Sequence, residues 1–191
     1  MKEKTNTEPE RLSLVEPEEI HAESITAYRK AFLASGESMD GTANLRTKET
    51  AEEWLEWVKR MKDPATCPEK LVPATQFVYV RASDGKVVGM LQLRHWLNAY
   101  LLSYGGHIGY SVSPDERGKG YAKGMLREAL TVCGRMGIRE VLVTCLQENE
   151  ASRRTILSNG GVYENTVFEP ELKETIERYW IRLPSDPTDS N

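Results

Sequence analysis

Cysteine and histidine are scarce in this sequence, and both are scattered. The 191 residues include three cysteines, an odd number with no paired spacing. A disulfide framework is therefore excluded, and the thiols are expected to be reduced. The histidines share no ligand spacing with one another or with the cysteines, so we predict no metal site. The residues concerned are Cys67, Cys133, Cys145, His21, His95 and His107.

Long apolar runs are also lacking. None approaches the roughly 18–20 residues needed to cross a bilayer, and the charged start MKEKTNTEPER excludes a secretory signal. We therefore expect a cytoplasmic protein with no membrane partner. The 25 basic residues are outnumbered by 29 acidic ones, giving a net charge of −4. This balance argues against a nucleic-acid partner, because such binders usually carry a basic surface.

The chain has the length and composition of one soluble domain. At 191 residues it falls within the usual size of a single domain. The segments 1–10 and 184–191 are polar and contain no apolar pattern. We therefore predict one domain over residues 11–183, with flexible tails on both sides.

Hydrophobic periodicity predicts alternating helices and strands. Helices are expected at about 16–36, 49–61, 118–137 and 149–160, and strands at 12–15, 76–82, 86–93, 107–112, 141–146, 162–168 and 178–183. The run 141–146 is almost wholly apolar, which is typical of a central strand reached by a crossover from 107–112. The fold class is therefore α/β (α+β), with a mixed sheet of six to seven strands and about four helices. The acidic segment 164–177 is expected to be a solvated face.

One segment, VSPDERGKGYA at 112–122, has the composition of a phosphate site. Gly118 and Gly120 stand where a helix begins, and the first amides of a helix are free to bind an anion. Arg117 and Lys119 add positive charge. The segment lacks the GxxxxGK[ST] pattern of nucleotide triphosphate loops and the GxGxxG pattern of dinucleotide sites. A pyrophosphate is therefore the expected ligand, with a nucleotide phosphate as the weaker alternative.

The same residues resemble a known cofactor signature. Arg117-Gly118-Lys119-Gly120-Tyr121-Ala122 is similar to [QR]xxGx[GA], the acetyl-coenzyme A signature of the GNAT family of N-acetyltransferases. The strand, turn, helix, strand and helix around it follow that family's order over residues 75–183. The nearest resemblance is to the bacterial branch with the ribosomal-protein N-terminal acetyltransferases. The resemblance implies a GNAT acyl-CoA N-acyltransferase fold and an acetyl-CoA-dependent transferase without a metal.

The resemblance also implies roles for single residues. The main chain of Val112 would pair with the pantetheine arm in a gap between strands 107–112 and 141–146. Asn149 and Ser152 would lie beside the lower part of that arm. The pyrophosphate would be held by the amides of Arg117, Gly118, Lys119, Gly120, Tyr121 and Ala122.

The catalytic groups are less clear from the sequence. Direct transfer needs a proton acceptor for the amine and a donor for the leaving sulfur. His107 stands where relatives often carry Glu, and is the predicted base. Many relatives carry a Tyr as the acid where this chain has Ile156, so that role passes to Tyr163, to water or to no residue. Arg94 and His95 are expected at the surface, with the acceptor pocket as the alternative.

Two further functions remain open at this point. Because the family's usual Tyr is missing, the chain is also compatible with a non-catalytic module that binds or senses coenzyme A. An acyltransferase that uses a longer acyl-CoA is the other alternative. The acceptor is expected to be a primary amine of a small molecule or of a protein N-terminus, and a homodimer would be unsurprising in such a family.

Overall fold

A mixed sheet of seven strands organises this computed structural model, which describes residues 10–184. The strands lie in the order β1-β2-β3-β4-β5-β7-β6. Their bounds are β1 Leu12–Val15, β2 Ala74–Arg81, β3 Val87–Arg94, β4 Ile108–Val112, β5 Glu140–Leu146, β6 Val162–Glu169 and β7 Glu174–Arg182. Neighbours pair antiparallel except β4 and β5, which are parallel. The predicted mixed sheet is confirmed.

The described residues form four α-helices, two on each face of the sheet. They are α1 Ala22–Ser35, α2 Ala51–Lys62, α3 Tyr121–Arg135 and α4 Glu150–Leu157. One buried core packs α1 and α2 on β2 and β3, and a second, larger core packs α3 and α4 on the central strands. α2 is capped at its N-terminus, where the Thr50 side chain accepts from the Glu53 amide at 3.1 Å.

The acidic segment is more structured than its sequence predicts. β7 begins at Glu174 rather than at 178, so part of the expected solvated face lies inside the sheet. Glu177 is buried, accepts from Arg153 Nε at 2.8 Å and from the Tyr179 hydroxyl at 2.7 Å. Glu169 is only 2% exposed. Buried carboxylates need such partners, and Arg153 comes from α4, which no local pattern could indicate.

The predicted tails fall almost entirely outside the described residues. Glu10 is described, and its carboxylate lies 3.5 Å from Arg81 Nε and accepts from the Tyr121 hydroxyl. Pro184, at the other end, accepts from Arg139 Nη1 at 3.3 Å. The domain bounds 11–183 stay a prediction.

The loop between α1 and α2, residues 36–50, is fixed to the sheet at Gly41. The backbone of Gly41 has φ +67°, and a Cβ there would lie 2.2 Å from the Gly109 carbonyl oxygen on β4. Only glycine allows this approach. Gln76 on β2 donates to the Gly41 carbonyl at 2.9 Å, and the Trp54 indole donates to the Thr42 carbonyl at 2.7 Å.

The indole bond of Trp54 gives a test of this anchoring. Trp54 is fully buried and Thr42 is 2% exposed. We expect Trp54→Phe to lower the free energy of unfolding by about 1–3 kcal/mol, because the Thr42 carbonyl would lose its donor. Urea unfolding measures the change. Trp57→Phe is the control: this half-buried ring packs at the edge of the same core and under Lys48 Nζ, 4.9 Å from its centroid, and Phe keeps most of that packing, so a loss near 0.5 kcal/mol is expected. Equal losses would contradict the anchoring role.

Candidate active site

The central feature of the site is a wedge-shaped gap between β4 and β5. The two strands share a single pair, Ile108 with Val143, and then diverge. The Ser113 amide donates to Val88 of β3 at 2.9 Å, so by alternation the main chains of Tyr110 and Val112 face the gap. These backbone groups have no strand partner on that side. An extended ligand could therefore add to β4 as a strand does.

His107 fixes the narrow end of the wedge. Its amide donates to the Leu142 carbonyl at 2.7 Å, and its Nδ1 accepts from the Leu142 amide at 3.0 Å. Burial, followed by the positive charge of Arg94, lowers the pKa of His107 to about 4. The neutral ring therefore carries its proton on Nε2 and has no free nitrogen to accept another. This geometry favours a structural role over the predicted base.

The wide end of the wedge meets the N-terminus of α3. Gly118 and Gly120 have φ +78° and +79°, and a Cβ on either would meet no atom within 4 Å. Gly120 is the N-cap residue, and no side chain caps the helix there. The first amides of α3 therefore keep their hydrogen-bonding capacity, and the helix dipole favours an anion in front of them.

Glu116 organises the charges around this loop. The carboxylate is 4% exposed and accepts from Arg81 at 2.9 Å, Lys86 at 2.7 Å and Lys119 at 2.6 Å. Burial alone raises the pKa of Glu116, but the hydrogen bonds from Lys119, Lys86 and Arg81 outweigh it and lower the pKa to about 2. Sequence reasoning missed this residue, because two of its partners, Arg81 on β2 and Lys86 just before β3, are at least 30 positions away in the chain.

Both predicted cations of the loop have protein partners. Lys119 is paired with Glu116, as described above. Arg117 pairs with Glu37 of the α1–α2 loop at 2.6 Å, and its Nε donates to the Val112 carbonyl at 3.3 Å. The guanidinium also lies 5.8 Å from the centre of the Phe32 ring. Arg117 thus connects the helix start, the end of β4 and the α1–α2 loop.

A pair of hydroxyl groups spans the wedge between β4 and α4. The Tyr110 hydroxyl lies 2.8 Å from Ser152 Oγ. Burial raises the pKa of Tyr110 to about 12, although the bond to Ser152 acts in the opposite direction. Asn149 is the N-cap of α4, and its side chain accepts from the Ser152 amide at 3.0 Å. Ile156 is fully buried in the core.

The far wall of the wedge contains a thiol on β5. Cys145 is 7% exposed, and burial, followed by the charge of Glu177, raises the pKa of this thiol to about 11. The group is therefore a neutral thiol at physiological pH. It packs in the same core as α3 and α4.

Tyr163 lies away from the wedge. It is on β6, an edge strand separated from β5 by β7. Its side chain is 52% exposed, and its hydroxyl bonds to Thr166 Oγ1 at 2.8 Å. Its ring packs against Tyr179 with centroids 5.6 Å apart. This placement argues against the predicted catalytic role for Tyr163.

The segment between β3 and β4 forms a pinned turn beside the narrow end. Asn98 accepts from the Leu101 amide at 2.9 Å, and Thr144 of β5 donates to the Tyr104 carbonyl at 2.8 Å. Gly106 has φ +65°, and a Cβ there would lie 2.6 Å from the Leu142 carbonyl oxygen. His95 is half-buried and bonds to Thr75 at 2.9 Å. The turn therefore has one defined position relative to β5.

Within residues 10–184, no helix has the length and apolar content needed to span a bilayer. No group of three or more His, Cys, Asp or Glu side chains in the same range is placed to hold a metal ion.

Comparison with known proteins identifies the family. Residues 11–162 match the model of the acetyltransferase (GNAT) domain, which is most of the chain. The chain belongs to the GNAT acetyltransferase family. The predicted family, fold and enzyme class, an acyltransferase, are thereby confirmed. No curated protein gives a significant sequence match.

Solved structures of other GNAT proteins share the fold. The ribosomal-protein-S5-alanine acetyltransferase from Vibrio fischeri has a TM-score of 0.68 at 17% identity, over 95% of this chain and 98% of that chain. RimL, a ribosomal L7/L12 α-N-protein acetyltransferase in complex with coenzyme A, has a TM-score of 0.67 at 18% identity, over 92% and 96%. The acetyltransferase yncA from Salmonella typhimurium, with its cofactor acetyl-CoA, has 0.61 at 16%, over 92% and 96%.

The low pKa of His107 predicts a pH effect on stability. The folded protein favours the neutral ring, so its contribution is complete above the unfolded pKa of about 6.5 and is lost as the pH falls towards about 4. We expect wild type to lose about 1 kcal/mol more than His107→Asn between pH 7 and pH 5, because Asn keeps an acceptor for the Leu142 amide but does not titrate. Urea unfolding at both pH values measures this. A parallel decline in both proteins would show that His107 is not the group responsible.

Proposed function

We propose that this protein transfers the acetyl group of acetyl-CoA to a primary amine of a small molecule or of a protein N-terminus. The observation that carries the proposal is the wedge between β4 and β5, which opens directly onto an uncapped, glycine-lined helix start. An extended arm with a pyrophosphate at one end fits both parts at once. A cytoplasmic location stays a prediction from the sequence.

The helix start supplies the binding groups for the pyrophosphate. A Cβ on Gly118 or Gly120 would meet no described atom within 4 Å, so a phosphate can approach the main chain from Arg117 to Ala122, and this supports the predicted cofactor loop. Two phosphate charges would compete with Glu37 for Arg117 and with Glu116 for Lys119. Glu116 also keeps Arg81 and Lys86, so its charge stays compensated when Lys119 turns to the ligand.

The main chain of Val112 and Tyr110 supplies the binding groups for the pantetheine arm. These residues face the gap and lack a strand partner there, so amides of the arm can extend the sheet. Asn149 is occupied as a helix cap. Its contribution is therefore to hold the Ser152 end of α4 beside the arm.

The transfer step uses few side chains of the protein. The lone pair of a neutral amine attacks the thioester carbon, the C–N bond forms and the C–S bond breaks. The nitrogen gives its extra proton to water, and the sulfur takes one proton to leave as a thiol. We assign that donation to the Tyr110 hydroxyl, which its high pKa keeps protonated and which Ser152 orients. Water returns the proton to Tyr110.

This assignment bears on the alternative functions. A non-catalytic coenzyme A-binding module is the alternative suggested by Ile156 in place of a tyrosine, but Tyr110 brings a hydroxyl into the wedge from β4 instead of α4. Catalysis is therefore the function better supported. A longer acyl donor is the remaining alternative, and competition between acetyl-CoA and longer acyl-CoAs separates the two.

Binding of the cofactor is tested first by calorimetry. Titration with acetyl-CoA is expected to give selective binding, with ATP and NAD as controls. Gly120→Val is expected to weaken that binding about 100-fold, because the side chain would occupy the space in front of the amides. Gly137→Val is a matched control: its φ of +78° equals that of the loop glycines and its Cβ also meets no atom within 4 Å.

The two valine variants carry the same backbone strain, about 1–2 kcal/mol. They differ only in their distance from the helix start, since Gly137 follows the other end of α3. Equal affinities for acetyl-CoA in both variants, or a preference for ATP in wild type, would remove the cofactor assignment.

The proton donor is tested by removing single hydroxyls. Tyr110→Phe is expected to lower kcat by about 10- to 100-fold while leaving the affinity for acetyl-CoA within a few-fold. Tyr163→Phe, which removes an exposed hydroxyl on β6, is expected to retain wild-type kcat. Release of free thiol measures both. The reverse pattern would restore Tyr163 as the acid and leave Tyr110 with a structural role.

A further inference from the structure

Arg94, at the end of β3, has an incompletely paired charge beside the wedge. Its Nη1 donates to the carbonyls of Gly105 at 2.9 Å and Gly106 at 3.1 Å. Neither Nε nor Nη2 has an acceptor among residues 10–184, and no carboxylate in that range lies within 4.0 Å of the guanidinium. Arg94 is half-buried, between the surface position and the acceptor pocket that the sequence left as alternatives.

The unpaired edge of this guanidinium lies beside the narrow end of the wedge. A methyl group on Gly109 would lie 3.5 Å from Arg94 Nη2. Gly109 follows Ile108, the last residue of β4 that pairs with β5. Nε and Nη2 lie on the same edge of the guanidinium plane, and this edge binds a carboxylate with two parallel hydrogen bonds.

The surrounding structure fixes Arg94 without neutralising it. The two carbonyls that hold Nη1 belong to the turn that Thr144 pins to β5. Burial lowers the pKa of Arg94, and the negative charge of Asp40, on the α1–α2 loop, opposes that effect. Asp40 therefore lies near enough to act on the charge but does not form an ion pair with it. The arrangement offers one positive and one negative group to a bound molecule.

We infer that Arg94 binds the carboxylate of the acceptor, and that the acceptor is a free α-amino acid. This inference rests on the proposed function. There the pyrophosphate lies at the wide end of the wedge, so the thioester is expected at the narrow end. Arg94 Nη2 lies beside Gly109, and Gly109 follows the last residue of β4 that pairs with β5. An anion bound to Arg94 is therefore close to an amine that attacks the thioester. An α-amino acid separates them by one carbon.

The test compares each of the common L-amino acids with its own carboxamide as acceptor. The two differ mainly in the negative charge that Arg94 is inferred to bind, and because the carboxamide is also the less basic amine, the acid-to-carboxamide ratio is compared between wild type and Arg94→Gln at the same pH. Wild type is expected to prefer the acid by roughly 10- to 100-fold in kcat/KM. Arg94→Gln is expected to remove that preference mainly by raising KM, and Arg94→Lys to restore part of it. His95→Gln, at the next residue, is the control and is expected to keep the preference.

The outcomes separate a carboxylate site from other roles. Wild type that uses carboxamides as well as acids overturns the inference. Loss of kcat for acids and carboxamides alike in Arg94→Gln also overturns it, because that pattern indicates stabilisation of the thioester oxygen. Thermal unfolding checks that the variants fold, and Arg94→Lys covers the case in which Arg94→Gln does not.

A binding measurement keeps the inference independent of turnover. Calorimetric titration of N-acetyl amino acids into the coenzyme A-loaded protein is expected to show binding that Arg94→Gln loses and that the N-acetyl carboxamides lack. Absence of that binding overturns the carboxylate site even if amines are acetylated. If acetyl-CoA itself does not bind, the proposed function fails, and amino acids titrated into the protein alone decide whether Arg94 binds a carboxylate.

Discussion

The structure depends on a local gap between β4 and β5, two neighbouring strands of an otherwise continuous sheet. β4 and β5 each keep a full partner on the outer side, β3 and β7, and share only the pair Ile108–Val143 between them. Unpaired backbone groups buried away from water are costly, so such a gap persists only if it is short or filled. Here His107 closes it at one end with two bonds to Leu142. The acceptor nitrogen of His107 is therefore occupied by a hydrogen bond that stabilises the fold.

Most charged side chains around the gap are paired with opposite charges of the protein itself. Glu116 is held by three cations, and Arg117 by Glu37. A basic loop with an acidic centre keeps its shape without a ligand, yet can release one cation without leaving a buried carboxylate unpaired. Arg94 differs from these cations, since its partners are carbonyls rather than carboxylates.

Local patterns in the sequence predicted the elements and the glycine-flanked helix start, because both depend on neighbours within a few residues. The order of helices and strands, the helix start at Gly120 and the central strand at 141–146 follow from periodicity and glycine placement. The Tyr110–Ser152 contact joins residues 42 positions apart, and Glu116 accepts from Arg81 of β2 and from Lys86 just before β3. Such partners become visible only when the topology is known, and they decide which side chain can move a proton.

The contact between Gly41 and Gly109 limits how the acceptor side can vary. Exposed positions of the loop such as Ser38 carry no such constraint, but at 41 a single carbon would collide with the β4 backbone. Thr42 is buried, and Glu37 pairs with Arg117 of the helix start, so these two positions are constrained as well. Redesign of the loop is therefore confined to the positions whose side chains face solvent.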